Sequence, residues 1–171
     1  MYGESGTLAV ETAPNLAALV DKFNDNPNTI VVAEGDNWIP GPFLVAGADP
    51  TLNALPTIKS TALARPDVAI FNSIGTTVSA LGNHEFDLGS PVVSGAIAAS
   101  GAWVGAQFPI ITANVDVSAD SSLRGLSDAS LGGTATNAFA GQETSAIKGK
   151  LDGSINAILV VLGAVVFATM G

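Results

Sequence analysis

Four side chains in this sequence are of the types and in the arrangement that support acid–base or metal-assisted chemistry. The stretch "LGNHEFDLGS", residues 81–90, holds the only histidine, His84. Asn83 precedes it and Asp87 follows three residues later. A carboxylate at that spacing can hold an imidazole in one tautomer and raise its pKa. His84 can then protonate a leaving group or act as a ligand. Asn83 offers a neutral carbonyl oxygen. Asp36, in "EGDN", offers a carboxylate able to bridge two cations.

Each group follows a glycine at the expected end of a strand: Gly35 before Asp36, and Gly82 before Asn83. Ligands of open α/β sheets bind beyond the carboxyl ends of strands, and a glycine there permits a sharp turn. Asp36 and Asn83 therefore meet at one site if the two strands are neighbours. The sequence around them predicts such strands. "TIVVAEGD" is a β-branched run, "TTVSAL" another, "FPIITANV" a third and "AILVVLGA" a fourth. Helices are expected between them. "ETAPNLAALVDKFNDNPN" places Leu16, Leu19, Val20 and Phe23 at i, i+3, i+4 and i+7, with Pro14 in the first turn. "RPDVAIFNSIG" puts Ile70 and Ile74 on one face, with Gly75 as its stop. "SPVVSGAIAASG" starts with Ser90 as cap and Pro91 in the first helical position, and closes at Gly101. "NWIPGPF" reads as turns, and Leu44 to Ser60 as a mixed loop with short helical stretches. Residues 116–150, rich in Ser, Gly, Ala, Thr and Asp, form a long, partly irregular excursion. The alternation predicts an α/β domain with a mainly parallel or mixed sheet.

Bulk composition limits the alternatives. The chain has 171 residues, 47% hydrophobic and 12% charged, enough for one sizeable core. Net charge is −9 with six Lys plus Arg, so no basic surface exists for a nucleic-acid scaffold role. An acidic chain still binds phosphate when metal ions supply positive charge. The absence of Cys excludes disulfides, thiolate catalysis and Cys-based zinc sites. "MYGESGTLAV" has neither the basic start nor the apolar core of a secretory signal. The apolar stretch 155–171 is shorter than the roughly 20 residues of a spanning helix and rich in Val and Ile. A buried strand is favoured there over a membrane span.

"GNHEFD" with an upstream "GDN" resembles the calcineurin-like metallophosphoesterases, and within them the bacterial 5′-nucleotidase branch. "TIVVAEGDNWIPGPF", "TVSALGNHEFDLG" and "FPIITANVD" resemble successive strand–loop units of that branch, and "AILVVLGA" a later buried strand. The resemblance implies a partial α/β/β/α sandwich with a mixed sheet and helices on its outer faces. It implies two divalent metal ions of the Mn or Zn class. Asp36 would bridge them, Asn83 would bind one, His84 would contact the phosphoryl group or protonate the leaving oxygen, and Asp87 would pair with His84. The implied substrate is a small phosphate ester or nucleotide. Members of the branch are commonly exported, which implies a periplasmic or secreted setting.

The sequence also departs from the pattern. The family begins with Asp-x-His on its first strand and supplies further histidines later, and this chain has a single His. Residues 1–171 are therefore expected to form a single incomplete catalytic domain, weakly active or inactive alone. The competing expectations are a non-catalytic exported structural or interaction domain, which the missing ligands favour, and a membrane-tethered protein.

Simpler roles exist for each residue. Asp36 and Asn83 suit tight turns, and Asp87 can cap the following helix. Glu85 is expected to support the site or to lie at the surface rather than to ligate. Trp38 and Phe43 read as packing before they read as substrate contacts, and Trp103 as core.

Overall fold

The computed structural model describes residues 6–24, 29–112, 115–128, 137–139 and 158–162. The chain opens with helix α1 (Gly6–Asn24) and strand β1 (Thr29–Ala33). A short helix α2 (Pro42–Ala46) and a 3₁₀ turn (Pro50–Ala54) lead to α3 (Arg65–Ser73) and strand β2 (Val78–Ala80). A 3₁₀ turn (His84–Phe86), α4 (Ser90–Ile97) and β3 (Ile110–Thr112) follow. Strands β4 (Ser127–Asp128), β5 (Asn137–Phe139) and β6 (Ile158–Leu162) complete the described elements.

The strands form one sheet in the order β4-β5-β3-β2-β1-β6. Its centre is parallel: β1 pairs with β6 on one side and β2 on the other, and β2 pairs with β3. At the far edge β5 runs antiparallel to β3, and β4 antiparallel to β5. This is the α/β class with a mixed sheet that the alternation of elements predicts. Strand β6 lies in the apolar C-terminal stretch, as expected, and the rest of 163–171 lies outside the described residues. Among the described residues no helix is long and apolar enough to cross a membrane.

Register explains the core. Ala33 pairs with Ser79 and Ser79 with Ile110, so these residues share one face. Thr29, Val31, Ala33, Ser79, Ile110 and Thr112 are all buried. The connections β1–α3–β2 and β2–α4–β3 step in the same direction across the sheet. Right-handed crossovers therefore place α3 and α4 on the same face, and the two helices pack together. Val68, Phe71, Val93, Ala96 and Ile97 join Val31, Ala33 and Ile110 in a single apolar cluster.

The local signals are partly as expected. Gly75 ends α3 at φ +76, with the Thr76 amide donating to the Phe71 carbonyl and the Gly75 amide to that of Asn72. That is the Schellman arrangement for which glycine is suited. The buried side of α3 is Val68, Phe71 and Ile74, whereas Ile70 is half-buried. Four expectations are corrected. Pro14 lies inside α1 rather than in its first turn, because Leu8 to Ala13 extend the helix backwards despite the hydrogen bond that proline removes. Leu19 is 51% exposed, while Val20 of the same expected stripe is fully buried. Gly89, at φ +85, occupies the position before α4, so Ser90 is the first helical residue and its hydroxyl bonds Asp120. That helix stops at Ile97, ahead of Gly101.

Candidate active site

Strands β1 and β2 are parallel neighbours, so the loops that follow them leave the sheet at the same end and touch. The contact is backbone to backbone. A Cβ on Gly35 would come within 2.7 Å of the Gly82 amide nitrogen. A Cβ on Gly82 would overlap the Asp36 carboxylate and lie 2.8 Å from Glu85 Oε2. Gly35 and Asp36 both adopt left-handed backbone, at φ 97 and 53. For an aspartate that conformation is uncommon and mildly strained.

The loops are joined by side chains as well. The His84 amide donates to Asp36 Oδ1 at 3.0 Å. Glu85 is 1% exposed, and its carboxylate faces inward. Oε2 accepts from the Asp36 amide at 2.9 Å and from the Gly82 amide at 2.7 Å, and Oε1 accepts from the Asn37 amide at 2.6 Å. Burial pushes the Glu85 pKa up, and the backbone donors oppose that shift by favouring the ionised form. Beneath them, buried Asn37 donates from Nδ2 to Ser79 Oγ at 3.0 Å and ties the first loop to β2.

His84 and Asp87 stand on the outer side of the same turn. His84 Nδ1 lies 2.7 Å from Asp87 Oδ2, with the side chains 40% and 34% exposed. The hydrogen bond to Asp87 raises the His84 pKa above its ordinary value, assisted by the negative charges of Asp87, Asp36 and Glu85. With Nδ1–H donating to Asp87, Nε2 is the ring atom that remains for a ligand. The 3₁₀ turn explains the geometry: its tight winding brings residues three apart onto one side. Asp87 ends this turn and does not cap α4, whose preceding residue is Gly89.

The structure thus brings Asp36, His84 and Asp87 into one connected patch, with Asn83, exposed, at the start of the 3₁₀ turn between them. Among the described residues no group of three or more His, Asp or Glu can hold a metal ion. Asp36 and Asn83 are two oxygen donors, and by themselves they do not make the two-metal centre that the resemblance implies. Trp38 is 4% exposed and belongs to the core, as does Trp103 at 1%, while Phe43 is half-buried.

The sequence reading missed how Glu85 acts. It foresaw support or surface exposure, and the residue is a buried acceptor for amides of both loops. Its position three residues after Gly82, inside a tight turn and beside Phe86, was the available signal. That signal reaches only the Gly82 amide of its own loop, whereas the Asp36 and Asn37 amides come to Glu85 through the pairing of β1 with β2.

The chain is 32% identical over 104 residues to the trifunctional nucleotide phosphoesterase protein YfkN of Bacillus subtilis (strain 168). The match covers 60% of this chain and 6% of that protein. No protein-family model matches the chain, and no solved structure matches it. The chain spans a small part of the length of the nucleotide phosphoesterase it resembles.

Proposed function

We propose that the paired loops after β1 and β2 form a phosphate-ester site, and that the chain carries phosphoester-hydrolase chemistry of the 5′-nucleotidase type. The observation that carries this reading is the His84–Asp87 pair, Nδ1 to Oδ2 at 2.7 Å, hydrogen-bonded through the His84 amide to Asp36. The similarity to a nucleotide phosphoesterase points to a nucleotide or small phosphate ester as ligand.

In this reading His84 does the proton chemistry. Asp87 fixes the proton on Nδ1 and stabilises the imidazolium. Nε2–H then donates to a phosphoryl oxygen, or passes its proton to the leaving oxygen as a water oxygen bonds to phosphorus and the ester P–O bond breaks, with the proton lost by the water returning the imidazole to its acid form. A raised pKa keeps more of the imidazole in the acid form near neutral pH. Asp36 and Asn83 are proposed as oxygen donors to a divalent cation of the Mn or Zn class. Such a cation needs at least one further donor beyond the described patch. Exported location is proposed only on the resemblance of "GNHEFD" and "GDN" to the bacterial 5′-nucleotidase branch.

The test is hydrolysis of AMP and p-nitrophenyl phosphate by the purified chain in MnCl2, beside His84→Ala. Slow release of phosphate that falls to background in the variant supports the reading. Equal release from both proteins removes His84 from the chemistry.

A further inference from the structure

We infer that Glu85 is a positioning residue that builds the site before any ligand arrives. The inference rests on the reading of the two loops as a phosphate-ester site. Glu85 sits on the second loop, yet the Asp36 and Asn37 amides that donate to it belong to the first. The third, the Gly82 amide, opens its own loop. One carboxylate therefore fixes the separation of the loops and the direction of the chain at Asp36.

That direction matters because Asp36 is left-handed at φ 53. A non-glycine residue holds such a backbone only when its surroundings impose it. Here the imposed turn aims the Asp36 amide at Glu85 and brings Asp36 Oδ1 to the His84 amide at 3.0 Å. The glycines allow the approach, and Glu85 makes it the stable arrangement. Loops held in place in advance cost less ordering when a ligand binds.

The chemistry requires an acid rather than its amide. Both oxygens of Glu85 accept, Oε2 from two amides and Oε1 from one. Glutamine has nearly the same shape but replaces one acceptor with an NH2 donor facing an N–H. Glu85→Gln therefore leaves at least one buried donor without a partner.

The experiment follows amide hydrogen exchange and the His84 imidazole NMR signal in wild type, Glu85→Gln and Val93→Ala, with AMP and MgCl2 as probe. Val93 is fully buried in the core outside the loops, so its variant controls for lost stability alone. In wild type the Asp36, Asn37 and Gly82 amides should exchange as slowly as those of β1. In Glu85→Gln these three should lose protection selectively, with AMP binding weaker by about tenfold or more. Val93→Ala should keep AMP binding near the wild-type value. The inference is overturned if the three wild-type amides exchange freely, a result that does not depend on any variant folding. It is also overturned if Glu85→Gln keeps them protected and binds AMP as wild type does. Wild-type protein that ignores AMP overturns the phosphate-ester reading instead. The bracing of the loops is then judged by the three amides.

Discussion

Gly35 and Gly82 lie against each other, so close that a Cβ on the first would be 2.7 Å from the amide nitrogen of the second. The site depends on this contact, because it lets Asp36 and His84 approach through their backbones. Gly82→Ala should therefore be strongly destabilising, by about 2–4 kcal/mol, since its methyl group has only backbone and carboxylate to displace. Thermal unfolding checks this. A melting temperature close to wild type would mean that the loops can separate at little cost.

The His84–Asp87 pair has a pH signature. Its pKa is raised chiefly by the hydrogen bond to Asp87. The stabilisation from pairing is fully present below the unfolded histidine value, about 6.5, and is lost as pH rises through the raised folded value. Asp87→Ala should return the His84 pKa towards its ordinary value. The chain has one histidine, so a single imidazole signal reports the titration. An unchanged pKa in the variant would show that Asp87 does not hold the ring.

Asp67 gives the opposite dependence. It is buried in the first turn of α3, its Oδ2 has no hydrogen-bond partner among the described residues, and burial pushes its pKa up to about 7. The fold favours the neutral acid. Stability is therefore greatest below the unfolded value of 3.8, declines as pH rises and levels off above about 7. Asp67→Asn keeps the shape without the charge. It should stabilise the protein at pH 8 by about 2–4 kcal/mol and have little effect near pH 4. Equal effects at both pH values would contradict the burial argument.

A cap can be tested alone. Gly75 ends α3 at φ +76 and has the Asn24 side chain 3.3 Å from where a Cβ would stand. Gly75→Ala should cost about 1 kcal/mol, read from denaturant unfolding. A neutral substitution would show that the left-handed turn is not required.

How much of this the sequence revealed depends on the range of the interactions involved. The strand after α1, the β2 strand and the two Gly-polar turns were legible, because β-branched runs ending in glycine are local signals. The His84–Asp87 pairing was legible too, as an i, i+3 spacing. The start of α1 was not, since Pro14 suggested a first turn and the preceding residues carried the helix further. Nor was the role of Glu85, whose partners Asp36 and Asn37 lie far away in the chain. Only the parallel pairing of β1 and β2 brings those donors to it. The exposure of Leu19 follows the same logic, because periodicity shows an apolar stripe without its edges.

In the proposed site the loops bearing Asp36 and His84 bind a phosphate ester together. The most direct test is titration of AMP, with MgCl2, against the single imidazole signal in wild type and Asp36→Ala. We expect a saturable shift of that signal with a rise in the His84 pKa, weakened by about tenfold or more in the variant. A signal that does not respond to AMP, or that responds equally in both proteins, would contradict it.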